Sequence, residues 1–152
     1  MTWSVLAQLH PTSKFLSICI GDNGIGVRHS LLTGNQESHI RKLVDPNSSD
    51  GDFIRLAMEK QVSGAIDSDD LSSRLFGLAQ PKVSKGKRRG RGLKKIVSCC
   101  RELGVQFTVV SHRGAVQLSE DGASMHVENR QSNCFAGTLY HFKVPIGRKV
   151  VP

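Results

Sequence analysis

The tightest constraint on this chain lies between residues 14 and 26, KFLSICIGDNGIG. From Phe15 an apolar run carrying the β-branched Ile18 and Ile20 reads as a strand. The run ends on Asp22, followed by Asn23-Gly24-Ile25-Gly26. A carboxylate at the end of a buried strand is costly to leave without a partner. Gly24 and Gly26 lack a Cβ, so backbone can approach a flat ring closely there. An isolated Gly-x-Gly more often does no more than make a turn, so its meaning depends on the rest of the chain.

Upstream, TWSVLAQL (residues 2–9) reads as a first strand, joined to the second through His10-Pro11-Thr12-Ser13. Residues 27–33 form a short helix. Ser49 or Asp50 caps a helix over about 52–62, with Phe53, Leu56, Ala57 and Met58 on one side. Leu93, Ile96, Val97, Cys100 and Leu103 recur at helical spacing and Gly104 stops that helix. Short strands follow near 105–110, 114–118, 124–128 and 137–144. This order predicts an α+β two-layer sandwich, with a mixed, mostly antiparallel sheet and helices on one face. The 152 residues fit a single domain spanning 1–152, and 38% hydrophobic residues suffice for a core.

Charge is concentrated. Lys and Arg exceed Asp and Glu by 8. Lys82, Lys85, Lys87, Arg88, Arg89, Arg91, Lys94 and Lys95 fall within residues 82–95, which contain no acid. The remainder is balanced, which excludes a basicity spread over every surface. Three readings of this segment compete: it meets phosphates of a nucleotide, it meets nucleic acid or an acidic protein, or it is a solvated lid. Phe76 is the closest aromatic residue, so base stacking has little support. Residues 63–91, rich in Ser, Asp, Gly and Lys, read as a lid.

Other classes are poorly served. No apolar run approaches the roughly 18 residues of a membrane span, and no basic region precedes residues 1–9 as in a secretory signal. Cys19, Cys99, Cys100 and Cys134 show no metal spacing, and are expected to be reduced, small buried residues of a cytoplasmic protein. A calcium loop starting at Asp45 would place Asp50 and Leu56 where Gly and Glu are needed. There is no GxxxxGK[ST] segment. Ser111-His112 lacks the turn of a hydrolase nucleophile, and His141 beside Tyr140 reads as a cross-strand structural residue.

Two further glycine segments matter. Gly90-Arg91-Gly92-Leu93 opens the helix ending near Gly104, where free N–H groups and the helix dipole attract phosphate. Gly137-Thr138 opens the last strand. Taken together, the three segments resemble those of the ATP-binding domain shared by histidine kinases, type II topoisomerases, mismatch-repair ATPases and Hsp90, the Bergerat fold. The resemblance is nearest to small stand-alone bacterial members related to anti-sigma-factor kinases. It implies that Asp22 binds the adenine amino group within the motif Asp22-Asn23-Gly24-Ile25-Gly26. It implies that Gly90, Arg91, Gly92 and Leu93, with Lys87 nearby, close over the phosphates, and that Thr138 supports Asp22. ATP and Mg²⁺ are the implied cofactors, phosphoryl transfer or hydrolysis the implied reaction, and a protein the implied partner.

The chain departs from that pattern in one important respect. The family carries an Asn that holds Mg²⁺, usually with a catalytic Glu, on a helix preceding the first of these strands. This sequence starts at about the strand after that helix. Asn23 lies within the adenine motif and Asn35 after it, so no residue takes either role and no catalytic residue is assigned. Lys94 stands where many relatives have Gly. An N-terminally truncated domain of this kind would leave part of one sheet face bare, which predicts self-association. A catalytically incomplete protein that acts by binding a partner is the competing expectation.

Overall fold

The computed structural model describes residues 2–34, 37–60, 62, 92–119, 122–129 and 134–147. The lid region 63–91, with Lys87, Gly90 and Arg91, lies outside them. Two strands, β1 (Trp3–His10) and β2 (Phe15–Asp22), lead into three helices, α1 (Val27–Thr33), α2 (Glu37–Leu43) and α3 (Asp50–Glu59). A further helix, α4 (Gly92–Leu103), precedes strands β3 (Gln106–His112), β4 (Gly114–Leu118), β5 (Met125–Asn129) and β6 (Phe135–Pro145). The strands form one six-stranded sheet in the order β1-β2-β6-β3-β4-β5. Every neighbouring pair is antiparallel. The protein is thus α+β, with helices layered on an open antiparallel sheet. Among the described residues, no helix is long and apolar enough to cross a membrane.

The period of two along β3 explains the layering. Phe107, Val109 and Ser111 are buried while their neighbours are only partly so. These buried positions face a core that also holds Ile54 and Met58 of α3, Val97 and Cys100 of α4, and Val116 and Leu118 of β4. Tyr140, Phe142 and Val144 of β6 pack against its edge, with Phe107 and Phe142 stacked at 4.7 Å between ring centroids. A second cluster, Leu31, Ile40, Phe53, Leu56, Ala57 and Val62, joins α1, α2 and α3. Val27 and Leu93 border both clusters.

Helix ends follow the local chemistry. Ser49 and Asp52 form a capping box, the Ser49 hydroxyl accepting from Asp52 N and the Asp52 carboxylate accepting from Ser49 N. Asp45 makes an Asx turn by accepting from Asn47 N at 2.8 Å, in keeping with a loop before that cap. At the end of α4, Gly104 takes φ +61, while Val105 N donates to Cys100 O and Gly104 N to Arg101 O. That pair of bonds is a Schellman stop.

Three expectations need correction. Helix α2 is not apparent from the sequence; Ile40 is its one buried residue. Helix α3 ends at Glu59 rather than near 62. Of the cysteines only Cys100 is buried, whereas Cys19 is half-buried and Cys99 and Cys134 are exposed. Cys99 and Cys100 are neighbours on a helix, so only one of them can point into the core.

The helices pack on β3, β4 and β5, and do not extend comparably over β1 and β2. Register places Trp3, Val5, Ala7 and Leu9 of β1 beside Asp22, Ile20, Ile18 and Leu16 of β2. These residues continue the face that the helices cover elsewhere. Trp3, Val5 and Leu9 are exposed there, and Leu6 is exposed on the opposite face.

Candidate functional site

A single row of paired residues crosses the whole sheet near one end. It runs Trp3–Asp22–Thr138–Ser111–Gly114–Asn129, each neighbour a register partner of the next. Its three central side chains are polar and buried: Asp22 is 8%, Thr138 4% and Ser111 1% exposed. The apolar faces of β2, β6 and β3 thus end in a patch of hydrogen-bonding groups. Burial of polar groups requires partners, and their partners define the site.

The Asp22 carboxylate accepts the Gly24 N–H through Oδ1 at 2.7 Å. This bond closes the turn that follows β2. Among the described residues Oδ2 has no hydrogen-bond partner, although the side chain is buried. Asn23 points the other way and its Oδ1 accepts from Thr2 N at 2.9 Å, tying the start of β1 to the turn. Tyr140 lies two residues beyond Thr138 on the same face. Burial pushes its hydroxyl pKa above the usual 10.0, and the Asp22 charge pushes it in the same direction.

Two glycines make this arrangement sterically accessible. Gly137 has φ +99, and a Cβ there would collide with the Asp22 carbonyl oxygen. It sits at a bulge, where pairing jumps from Ser111–Thr138 to His112–Phe135. The close approach of backbones brings Thr138 level with Asp22. Gly26 has φ +76, and a Cβ there would strike the His112 ring. Gly24 does not take a positive φ; its contribution is the N–H given to Asp22.

Ser111 fastens the turn to the sheet. Its hydroxyl donates to Gly137 O at 3.0 Å and accepts from Val27 N at 2.9 Å. It therefore joins the start of α1, the bulge of β6 and β3 through one side chain. His112 Nε2 meets Ile25 O at 3.0 Å and holds the middle of the turn. At the far side of the row, Asn129 Oδ1 accepts from Gly51 N, and Asp50 accepts from Arg113 N and from Arg28. The first turn of α3 is thus anchored to the same end of the sheet.

The start of α4 is directed toward this end too. The helix stops at Gly104 and the chain enters β3 at the end opposite Ser111. Running back along β3, its 12 residues span about 18 Å. Leu93 reaches the junction of the two core clusters, where Val27 also packs. Gly92 is exposed with open space at its Cβ position. Lys94 is half-buried and Lys95 exposed. An open groove at the opposite end of the sheet, beside Lys14, Lys143 and Gly104, is remote from the Asp22 row.

Of the residues singled out from the sequence, Asp22, Asn23, Gly24, Gly26 and Thr138 converge on this turn, and Gly92 and Leu93 begin the helix that returns toward it. Ser111, His112 and Tyr140 were not legible as parts of the site; Ser111 and Tyr140 alternate on two distant strands as a core face would, His112 follows at the bulge, and only the register brings them to the Asp22 turn. His141 does make a cross-strand contact, Nε2 to Ser17 Oγ at 2.8 Å. Among the described residues no group of three or more His, Cys, Asp or Glu side chains is placed to hold a metal. No protein-family model matches the chain, and no curated protein or solved structure matches it significantly.

Proposed function

We propose that the protein is a nucleotide-binding domain of the histidine kinase and Hsp90-like type, with ATP as its ligand. The observation that carries this reading is the buried Asp22 carboxylate. One oxygen is held by Gly24 N–H and the other has no partner among the described residues. An unpaired buried carboxylate oxygen favours a donor, and the adenine amino group is a donor of suitable size. Thr138 lies beside Asp22 by strand pairing, as the resemblance requires. Gly90, Arg91, Gly92 and Leu93, with Lys87, hold the phosphates in this reading. Phosphoryl chemistry of this kind rests on positioning and charge stabilisation, with Mg²⁺ travelling with the nucleotide phosphates. The residues that turn ATP over are not assigned in this chain. The proposed setting is the cytoplasm of a bacterium, within a signalling system in which the domain acts on a protein partner.

Titration of a fluorescent ATP analogue, with and without Mg²⁺, tests this reading. Saturable binding by the wild type and its loss in Asp22→Ala are expected. Equal binding by the variant would remove Asp22 from the pocket. A product assay for ADP separates turnover from binding alone.

A second reading is favoured by the exposed apolar strand β1. In that reading the domain holds nucleotide without turnover and acts by binding a protein. Saturable ATP binding with no ADP release, and partner binding abolished by substitutions in β1, would support it. Nucleic-acid binding through residues 82–95 would instead fall steeply with salt and survive Asp22→Ala.

A further inference from the structure

Cys134 is exposed just before β6, and its Sγ lies 3.5 Å from His112 Nδ1. The other ring nitrogen, Nε2, is 3.0 Å from the carbonyl oxygen of Ile25. A carbonyl can only accept, so Nε2 carries the ring proton and Nδ1 presents its lone pair to the sulfur. The ring is fixed in this orientation. Gly26 leaves the space that its edge fills. The backbone of His112 is held in the left-handed region at φ +50, next to the doubly bonded Ser111. A nucleophile, a base within reach of it and a third group orienting the base are the parts of an activated thiol.

The other cysteines lack this arrangement. Cys100 is buried, and burial first, then the neighbouring Cys99, push its thiol up to about 11. Cys19 is half-buried within β2. Cys99 is exposed on α4 with no side-chain hydrogen bond among the described residues, which makes it an internal reference for an accessible thiol without a base.

We propose that Cys134 is a nucleophilic thiol with His112 as its base, forming a covalent modification site for soft electrophiles beside the Asp22 turn. With an alkyl iodide, Sγ attacks the carbon and the S–C bond forms. The C–I bond breaks, iodide leaves with the electron pair, and the thiol proton passes to His112 Nδ1. The group so added lies against the ring that holds Ile25, one residue from Gly24. The reaction needs no nucleotide, so it stands apart from the ATP reading.

The test is a time course of alkylation by limiting iodoacetamide on the full chain, with each cysteine quantified by mass spectrometry. In the wild type, Cys134 is expected to react at least about tenfold faster than Cys99. His112→Gln can place an amide N–H near the Nε2 position that faces Ile25 O but supplies no base, and should bring Cys134 down to the rate of Cys99. Cys100 is the folding control and stays unreactive in both proteins. Should it become reactive in His112→Gln, His112→Asn takes its place. A wild-type Cys134 rate at or below that of Cys99 overturns the proposal without any variant. So does an unchanged Cys134 rate in a folded His112 variant.

Discussion

Gly137 shows how much of the site depends on a missing methyl group. Its φ of +99 and its closeness to the Asp22 carbonyl leave no room for a side chain. Gly137→Ala should cost on the order of 3 kcal/mol in urea unfolding, and a loss below about 0.5 kcal/mol would contradict the close approach. Ser111→Ala removes a donor from Gly137 O and an acceptor from Val27 N. A loss of about 1–3 kcal/mol is expected from those buried orphans. Tyr140 offers an optical test, since it is the only tyrosine. Its pKa is raised by burial and by Asp22, so the folded state favours the neutral phenol. That contribution is complete below the unfolded value, about 10, and is lost as pH rises through the folded value. Phenolate absorbance should therefore appear above the ordinary range in the wild type and earlier in Asp22→Asn. Identical titrations would separate Tyr140 from Asp22.

At the scale of elements, β1 carries the clearest liability. Among the described residues it is an edge strand with one unpaired side, and Val5 at 69% and Leu6 at 66% exposed put apolar side chains on both its faces. Native edge strands usually carry a charge, a proline or a bulge, and WSVLAQLH has none over Trp3–Leu9. Concentration-dependent self-association is expected by sedimentation velocity, and Leu6→Lys should reduce it. A monomer at all concentrations in both proteins would show that the edge is protected. Strands and long helices were legible because their apolar period matches their burial: β3 alternates at two, and Val97 and Cys100 sit on one stripe of α4. Helix α2 was not, because ESHIRKL buries Ile40 alone. Its Glu37–Arg41 pair, at 2.7 Å, is exposed and contributes little. Tertiary burial of one isoleucine, invisible in a periodicity, decides its conformation.

Across the whole molecule, the sequence carried the layer architecture but not the strand order. The insertion of β6 between β2 and β3 brings residues 22, 138 and 111 into one row. Asp22 and Thr138 were legible through their glycine-flanked segments. Ser111 and His112 acquire their roles only from that insertion, which local patterns do not encode. The same topology gathers the turn after β2, the bulge of β6 and the beginning of α3 at one end of the sheet, where the start of α4 is also directed. The excess of 8 positive charges lies in residues 82–95, which lead into and begin α4, so a polyanion such as a triphosphate should bind more weakly as salt rises. The central proposal is narrower: the Asp22 oxygen that has no partner among the described residues is proposed to read an exocyclic amine. Competition between ATP and inosine triphosphate for a fluorescent ATP analogue isolates that interaction, because inosine places an oxygen where adenine has its amino group. ATP is expected to compete at least about tenfold more strongly, the scale of one hydrogen bond to a charged group. Equal competition by the two nucleotides would contradict the assignment of Asp22 as the base-reading residue.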